Sequence, residues 1–261
     1  MYPVLHQLFS DKKSNVIFTC FGTGHLLYMA LIFLGILGLL LWLRRKPAAV
    51  RQRIVDRAIC FSFALYIADF FLMPFAYGAI DLEKLPFHVC TAMCVLCFLA
   101  RRSPFLQRFR LPLTVLALAS NLIYVIYPAG VGWYQIHPLS YRVIQTLLFH
   151  GSITAYGVLF LAFGSPQLTR KSCLQTLPVI VAMTGWAMLG NWLYNGSSGD
   201  YDHFFNWFFV VRDPFYLLSA DIAPYLMPFV MVIVMFAAVC LVYAAWFLLK
   251  KTTHSKAMDK C

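Results

Sequence analysis

Charged residues are scarce in this sequence, and their scarcity excludes an ordinary soluble domain. Only 12% of the 261 residues are Asp, Glu, Lys or Arg, whereas 61% are hydrophobic. A soluble domain carries about 25% charged residues. The composition therefore predicts a polytopic membrane protein. Its net charge of +11 is better explained by basic loops between spans than by nucleic-acid binding, so no nucleic-acid partner is expected.

The sequence also lacks three patterns that would indicate a β-barrel, a cleaved signal peptide or a disulfide framework. The apolar runs lack the alternating pattern of a membrane β-barrel. The first 24 residues lack a charged start, an apolar run and a small-residue cleavage site, so we expect no cleaved signal peptide. Most cysteines lie in or beside apolar segments, which differs from the loop-based spacing of a disulfide framework. These are Cys60, Cys90, Cys94, Cys97, Cys173 and Cys240.

What the sequence has instead is a series of apolar runs, each close to the roughly 20 residues that span a bilayer as a helix. We expect an all-α bundle of seven transmembrane helices in one integral membrane domain, residues 1–261. The expected spans are about 25–43, 58–79, 86–100, 111–127, 141–164, 172–194 and 222–249.

The loop charges predict the orientation of this bundle. Lys and Arg concentrate after the first, third and fifth spans and in the C-terminal tail, whereas the intervening loops carry most of the Asp and Glu. An excess of Lys and Arg marks the cytoplasmic side. We therefore expect a multi-pass protein of the cell membrane, with its N-terminus outside and its C-terminus in the cytoplasm.

The outer segment 195–221 is unusually aromatic for a solvated linker. It contains the run Phe204-Phe-Asn-Trp-Phe-Phe209, followed by Arg212-Asp-Pro-Phe-Tyr216. Two interpretations remain open at this point. The segment could lie in the membrane interface as an aromatic belt, or it could fold back into the bundle as a lid.

Four polar residues in four expected spans are candidate functional groups, because polar side chains inside a membrane are costly. Counted from the cytoplasmic ends of their helices, Asp69, His88, Asn121 and His150 all lie roughly 17–21 Å from that edge. Such a layer predicts a polar pocket in the outer half of the bilayer. The alternative is a set of unrelated interhelical hydrogen bonds.

The chemistry of this layer depends on which side chains face each other. His88 and Cys90 are two residues apart, so on a regular helix they point about 200° away from each other. A catalytic pair of these two is therefore not expected unless Pro86 makes the helix start later. A pair formed with His150, by either His88 or Cys90, is easier to build. Such a pair could activate a thiol or water for acyl transfer. Metal-ligand spacing of histidines and carboxylates is missing, and no cofactor is expected.

Three short motifs resemble known membrane families. Leu85-Pro-Phe-His-Val-Cys90 opens a span, Leu148-Phe-His-Gly151 lies within a later one, and Asp213-Pro-Phe-Tyr216 follows Asn206 in the outer segment. This pattern resembles the bacterial YwaF-like integral membrane family and the eukaryotic transmembrane protein 164 family. The resemblance covers most of the chain.

The eukaryotic family is regarded as phospholipid acyltransferases that work through a Cys–His acyl-enzyme. The resemblance therefore implies lipid acyl transfer here, with His88 and His150 as the best-matched residues. In that family the cysteine directly precedes the histidine, where this chain has Phe87. Cys90 instead matches the bacterial motif.

The resulting hypothesis is an enzyme that acts on membrane lipids by acyl transfer or hydrolysis, with membrane lipids as its partners. The alternative is a non-catalytic protein that binds or transports lipids or small molecules in the same pocket. The predicted catalytic residues are His88, His150 and Cys90. The predicted substrate-binding residues are Asp69, Asn121, Asn206, Asp213 and Tyr216.

Overall fold

Apolar helices dominate the computed structural model, which describes residues 15–77, 82–164, 167–195 and 205–258. The helices of eleven residues or more in these ranges are labelled in chain order. They are α1 Thr23–Arg44, α2 Ala48–Tyr77, α3 Val89–Leu99, α4 Arg110–Ile126, α5 Tyr141–Phe163, α6 Thr176–Asn195 and α7 Ala223–Met258. Short helical turns connect some of them, at Leu82–Lys84, Pro104–Gln107, Ala129–Gly132, Arg170–Leu174 and Trp207–Phe209.

The all-helical fold is confirmed for the described residues, and five helical stretches there are long and apolar enough to cross a membrane. Four of them contain α1, α4, α5 and α6, and the fifth is the part of α7 from Ala223 to Leu249. The other two expected spans correspond to α2 and α3. With 11 residues, α3 is only about 16 Å long, which is shorter than a bilayer core of about 30 Å. Gly78 and Ala79, at the end of the second expected span, lie outside the described residues.

Helix α4 is the centre of the bundle. It packs against α3, α5, α6 and α7, and every residue from Pro112 to Asn121 is buried. A helix that is apolar around its whole circumference must be surrounded by other helices or by lipid. Helix α1 shows the second case: it packs on α5, and its exposed side chains are mostly large and apolar.

The start of α3 differs from the expected span. Pro86 disfavours helical geometry at the residue before it, and the helix begins only at Val89, with His88 in an extended conformation at the N-cap position. The expected start of this span at Pro86 was therefore wrong, and the regular-helix spacing does not apply to His88 and Cys90. His88 lies outside the helix, whereas Cys90 lies in its first turn.

Phe87 anchors this irregular start to α6. Its ring stacks on Trp186 at a centroid distance of 5.0 Å and lies 4.9 Å from the ring of Trp207. The indole nitrogen of Trp186 donates a hydrogen bond to the carbonyl oxygen of Pro86 at 2.8 Å. Gly190 makes room for the ring, because a Cβ atom there would lie 2.4 Å from Cδ1 of Phe87.

We therefore expect Gly190→Ala to destabilise the protein, because overpacking of a fitted contact costs about 1–3 kcal/mol. The thermal unfolding midpoint in detergent measures the effect. Gly185→Ala is the matched control on the same helix, since a Cβ atom there meets nothing within 4 Å. Equal unfolding midpoints for the two variants would contradict the anchoring role of Phe87.

Candidate functional site

A direct hydrogen bond joins Asn121 of α4 to His150 of α5. Oδ1 of Asn121 lies 2.7 Å from Nδ1 of His150, while Nδ2 of Asn121 donates to the carbonyl oxygen of Ala117 at 2.8 Å. Because a carbonyl oxygen can only accept, this second bond fixes the orientation of the amide. His150 must then donate from Nδ1, and the Nε2 atom of its neutral ring is free to accept a proton.

The neighbours of this pair include the thiol of Cys90. The ring of Tyr124 stacks on that of His150, with centroids 3.8 Å apart and planes at 15°. Cys90 lies beside Ser120 and close to Tyr124, and Nδ2 of Asn121 is 3.4 Å from the Ser120 hydroxyl oxygen. Helix α4 thus contacts both a thiol from α3, at Ser120, and an imidazole from α5, at Asn121 and Tyr124.

Cys90 lies in the first turn of α3, close to the positive end of the helix dipole. The first amide groups of a helix have no acceptor within it, and the N-cap residue His88 provides no side-chain cap here. Partial positive charge at a helix N-terminus stabilises anions, including thiolates. Cys90 is partly exposed, whereas Cys94 and Cys97 further along α3 are buried.

At His88 the Nδ1 atom accepts a hydrogen bond, whereas at His150 it donates one. The backbone N–H of Phe208 donates to Nδ1 of His88 at 3.2 Å. An N–H group can only donate, so Nδ1 carries the lone pair and the proton of the neutral ring is on Nε2. His88 and His150 lie close enough for their charges to interact. The two histidines thus differ in the ring tautomer that their hydrogen-bond partners impose.

Asp69 belongs to an ion pair next to this layer. Its carboxylate lies 2.9 Å from Nζ of Lys84 and accepts a hydrogen bond from the Tyr141 hydroxyl at 2.9 Å. Tyr66 donates in turn to the carbonyl oxygen of Lys84 at 2.8 Å. The charge of Lys84 also reaches both His88 and His150, so the pair contributes to the electrostatics of the site.

In its described residues 205–221, the aromatic outer segment divides into a buried part and an exposed part, and Phe204 lies outside the described residues. Trp207, Phe208 and Val210 are buried, and the Asn191 side chain of α6 bonds both backbone groups of Trp207, each at 3.0 Å. This part folds back over His88 as the lid interpretation predicts. Tyr216, by contrast, is 91% exposed, as an interfacial residue would be.

Three predicted substrate-binding residues of this segment are not brought to the histidine layer. Asn206 uses its side chain within the loop, where it accepts from the N–H groups of Val211 and Arg212 at 3.1 and 3.0 Å. Asp213 accepts three backbone N–H bonds, from Phe215, Leu217 and Leu218. The side chain of Tyr216 points away from the bundle.

The described residues contain no group of three or more His, Cys, Asp or Glu side chains placed to hold a metal ion. The seven cysteines in that part of the chain are free thiols.

The comparisons with known proteins agree with this picture of a helical membrane protein. The family model described as the TMEM164 family matches residues 20–250, which is most of the chain. The chain belongs to the TMEM164 family. It is accordingly a multi-pass membrane protein, and the predicted resemblance to the transmembrane protein 164 family is confirmed. No curated protein and no solved structure gives a significant match, and the resemblance to the bacterial YwaF-like family stays a prediction.

Sequence reasoning missed four contributors to the site: Ser120, Tyr124, Lys84 and Asn191. The last could have been found by the rule used for Asn121, since it is a polar residue inside an expected span. Lys84 was also visible as a lone cation in an otherwise acidic outer loop. Ser120 and Tyr124 are four residues apart and so share one helix face, but nothing in the sequence indicates that Cys90 lies against that face.

Removing the cation of the buried ion pair should destabilise the fold. Asp69 is only 2% exposed, so Lys84→Met leaves a buried carboxylate without its partner, at an expected cost of about 3–5 kcal/mol. Thermal unfolding in detergent measures this loss. The double variant Asp69→Asn/Lys84→Met should recover much of it, and a single variant as stable as the wild type would refute the pairing.

The loop held by Asp213 should loosen in acid. The backbone N–H of Phe215, with those of Leu217 and Leu218, lowers the pKa of Asp213 below its usual value. A lowered folded-state pKa gives stability that is fully present above the unfolded pKa of about 3.9 and is lost as pH falls through the folded value. Amide hydrogen exchange of Leu217 and Leu218, corrected for intrinsic rates, should therefore accelerate below about pH 4.

The matching variant is Asp213→Asn. Both carboxylate oxygens accept N–H bonds, whereas an amide has one acceptor oxygen, so this loop should exchange faster at neutral pH and lose its acid dependence. The exposed Asp221 in the same segment is the control, and Asp221→Asn should exchange like the wild type. Unchanged protection in Asp213→Asn would exclude the capping role.

Proposed function

We propose that this protein transfers acyl chains between membrane lipids, with Cys90 as nucleophile and His150 as its base. The hydrogen bond that His150 donates to Asn121, with the Cys90 thiol close to Ser120 and Tyr124 on the same helix as Asn121, carries the proposal. A thiol at a helix N-terminus and a histidine oriented by an amide are the elements that activate cysteine nucleophiles. Lipid substrates are supported by the location of these groups between membrane helices and by the family resemblance.

In the first half of the reaction, Nε2 of His150 takes the proton of the Cys90 thiol. The thiolate attacks the carbonyl carbon of a lipid ester, and the free amide groups at the start of α3 stabilise the negative oxygen that forms. When the tetrahedral intermediate collapses, the C–O ester bond breaks. The departing lipid alkoxide takes the proton from Nε2 of His150, and a thioester remains on Cys90.

In the second half, the same base serves the acceptor. The hydroxyl group of a lysolipid gives its proton to His150 Nε2 and attacks the thioester carbonyl. The C–S bond breaks, and the Cys90 thiolate leaves and recovers the proton. Water in place of the lysolipid gives hydrolysis, so exclusion of water by the aromatic residues over the site favours transfer.

The proposal includes the membrane topology expected from the loop charges: seven spans in the cell membrane with the N-terminus outside. It is supported by the packing of α2 and α3 within the same bundle as the five longer apolar helices. Exposed apolar side chains at Phe215, Tyr216 and Leu217 suit the boundary between headgroups and acyl chains. In this arrangement, a lipid reaches the polar pocket from the outer leaflet.

The test is an acyl-transfer assay with the purified full-length protein in lipid nanodiscs. A phospholipid with a labelled acyl chain is the donor, and an unlabelled lysophospholipid is the acceptor. Cys90→Ala and His150→Gln should each lower the transfer rate at least about 100-fold, since a positioned proton-transfer group contributes 10²–10⁴-fold. Cys94→Ala, one turn further along α3, should keep the wild-type rate.

The results of this assay distinguish a thioester mechanism from histidine-based hydrolysis and from lipid binding or transport. Full activity of Cys90→Ala with an inactive His150→Gln would exclude the thioester and leave a histidine-based hydrolysis. If the wild type moves no acyl chain with any phospholipid class, the enzyme proposal fails. Saturable retention of the unreacted lipid in that case, weakened by Asn121→Ala, would favour the binding or transport function instead.

A further inference from the structure

We infer that His88 is the hydrogen-bond donor that stabilises the acyl oxygen in the transition state, and that the backbone of residues 206–209 fixes it in this role. The inference rests on the proposed acyl transfer, and it deepens that reaction by separating the functions of the two histidines. It gives a specific role to His88, which the sequence predicted only as one of three catalytic residues.

The first argument is the position of the proton on each ring. Nδ1 of His88 accepts from a backbone N–H, so its Nε2 atom donates. Nδ1 of His150 donates to an amide oxygen, so its Nε2 atom accepts. Within the described residues, neither ring nitrogen Nε2 has a further hydrogen bond. The two rings therefore offer one open acceptor and one open donor, which are the two groups that attack on a carbonyl requires.

Second, the backbone N–H of Phe208, which donates to His88, is held firmly in place. Phe208 and Phe209 have positive backbone φ angles of 57° and 54°, an unfavourable conformation for large side chains. Such geometry persists only where the surroundings impose it, and it is concentrated at functional sites. Here the side chains of Asn191 and Asn206 bind the backbone on either side, and the result is an N–H group aimed at His88.

The third argument is the place of His88 relative to the nucleophile. As the N-cap residue of α3, it lies at the end of the helix where the free amide groups point, with Cys90 in the first turn. An oxygen stabilised by those amides lies at the same end as the His88 side chain. Since the ring is anchored by Nδ1, Nε2 is the atom available to the substrate.

A donor and a base respond differently to substitution, and this difference provides the test. The Gln amide can donate a hydrogen bond but cannot act as a base near neutral pH. We expect His88→Gln to keep kcat within about tenfold of the wild type, with the same pH profile. His88→Phe keeps the ring shape but has no donor, so kcat should fall about 10²–10³-fold with little change in KM.

His150→Gln is the contrasting variant, because glutamine cannot replace a base. It should be inactive even though its shape and polarity are preserved. The inference is overturned if His88→Gln is as inactive as His88→Phe while both fold with the wild-type unfolding midpoint, or if His88→Phe is as active as the wild type. In either case the acyl-transfer proposal stands, because wild-type turnover tests it separately.

A second readout does not depend on turnover. Nitrogen-15 NMR of histidine-labelled protein distinguishes the two neutral ring tautomers, with the His88 and His150 signals assigned from the two Gln variants. We expect a proton on Nε2 in His88 and on Nδ1 in His150. A proton on Nδ1 of His88 would overturn the inference even if lipid transfer is observed. If the tautomers are as expected but the wild type moves no lipid, the proposed function fails, and with it any catalytic role of His88.

Discussion

The hydrogen bond between Asn121 and His150 is the interaction on which the functional account depends. It joins α4, the buried centre of the bundle, to α5, and it fixes both the orientation and the tautomer of the imidazole. Inside a membrane protein an unpaired polar group costs free energy, so separating these two side chains would be unfavourable. Tyr124 stacks on this fixed ring, and in the proposed mechanism the ring is the base for Cys90.

His88, in contrast, is positioned by irregular backbone rather than by a helix. Helix α3 begins only at Val89, so His88 lies at the N-cap position outside the helix. The outer segment then folds back and supplies a backbone donor to His88. Non-helical backbone at membrane depth is tolerated where protein surrounds it, and the aromatic rings of Phe87, Trp186 and Trp207 surround it here.

Much of this arrangement follows from the sequence because polar groups in apolar segments are expensive. That rule identified Asp69, His88, Asn121 and His150. It did not distinguish roles: His25 is equally polar and buried, but its ring is used structurally, bonded to the backbone of Phe21 and Val125. The partner of His88 could not be predicted, since a backbone N–H has no residue identity and reaches the ring only through the fold of residues 205–212.

The central claim is that Cys90 carries the acyl chain, and mass spectrometry of the wild-type protein tests it most directly. The protein is incubated with phospholipid without an acceptor, quenched in acid and digested. We expect an acyl adduct on the peptide containing Cys90 that hydroxylamine removes and that His150→Gln does not form. Turnover of lipid without any adduct on Cys90, or with the adduct on another cysteine, would contradict it.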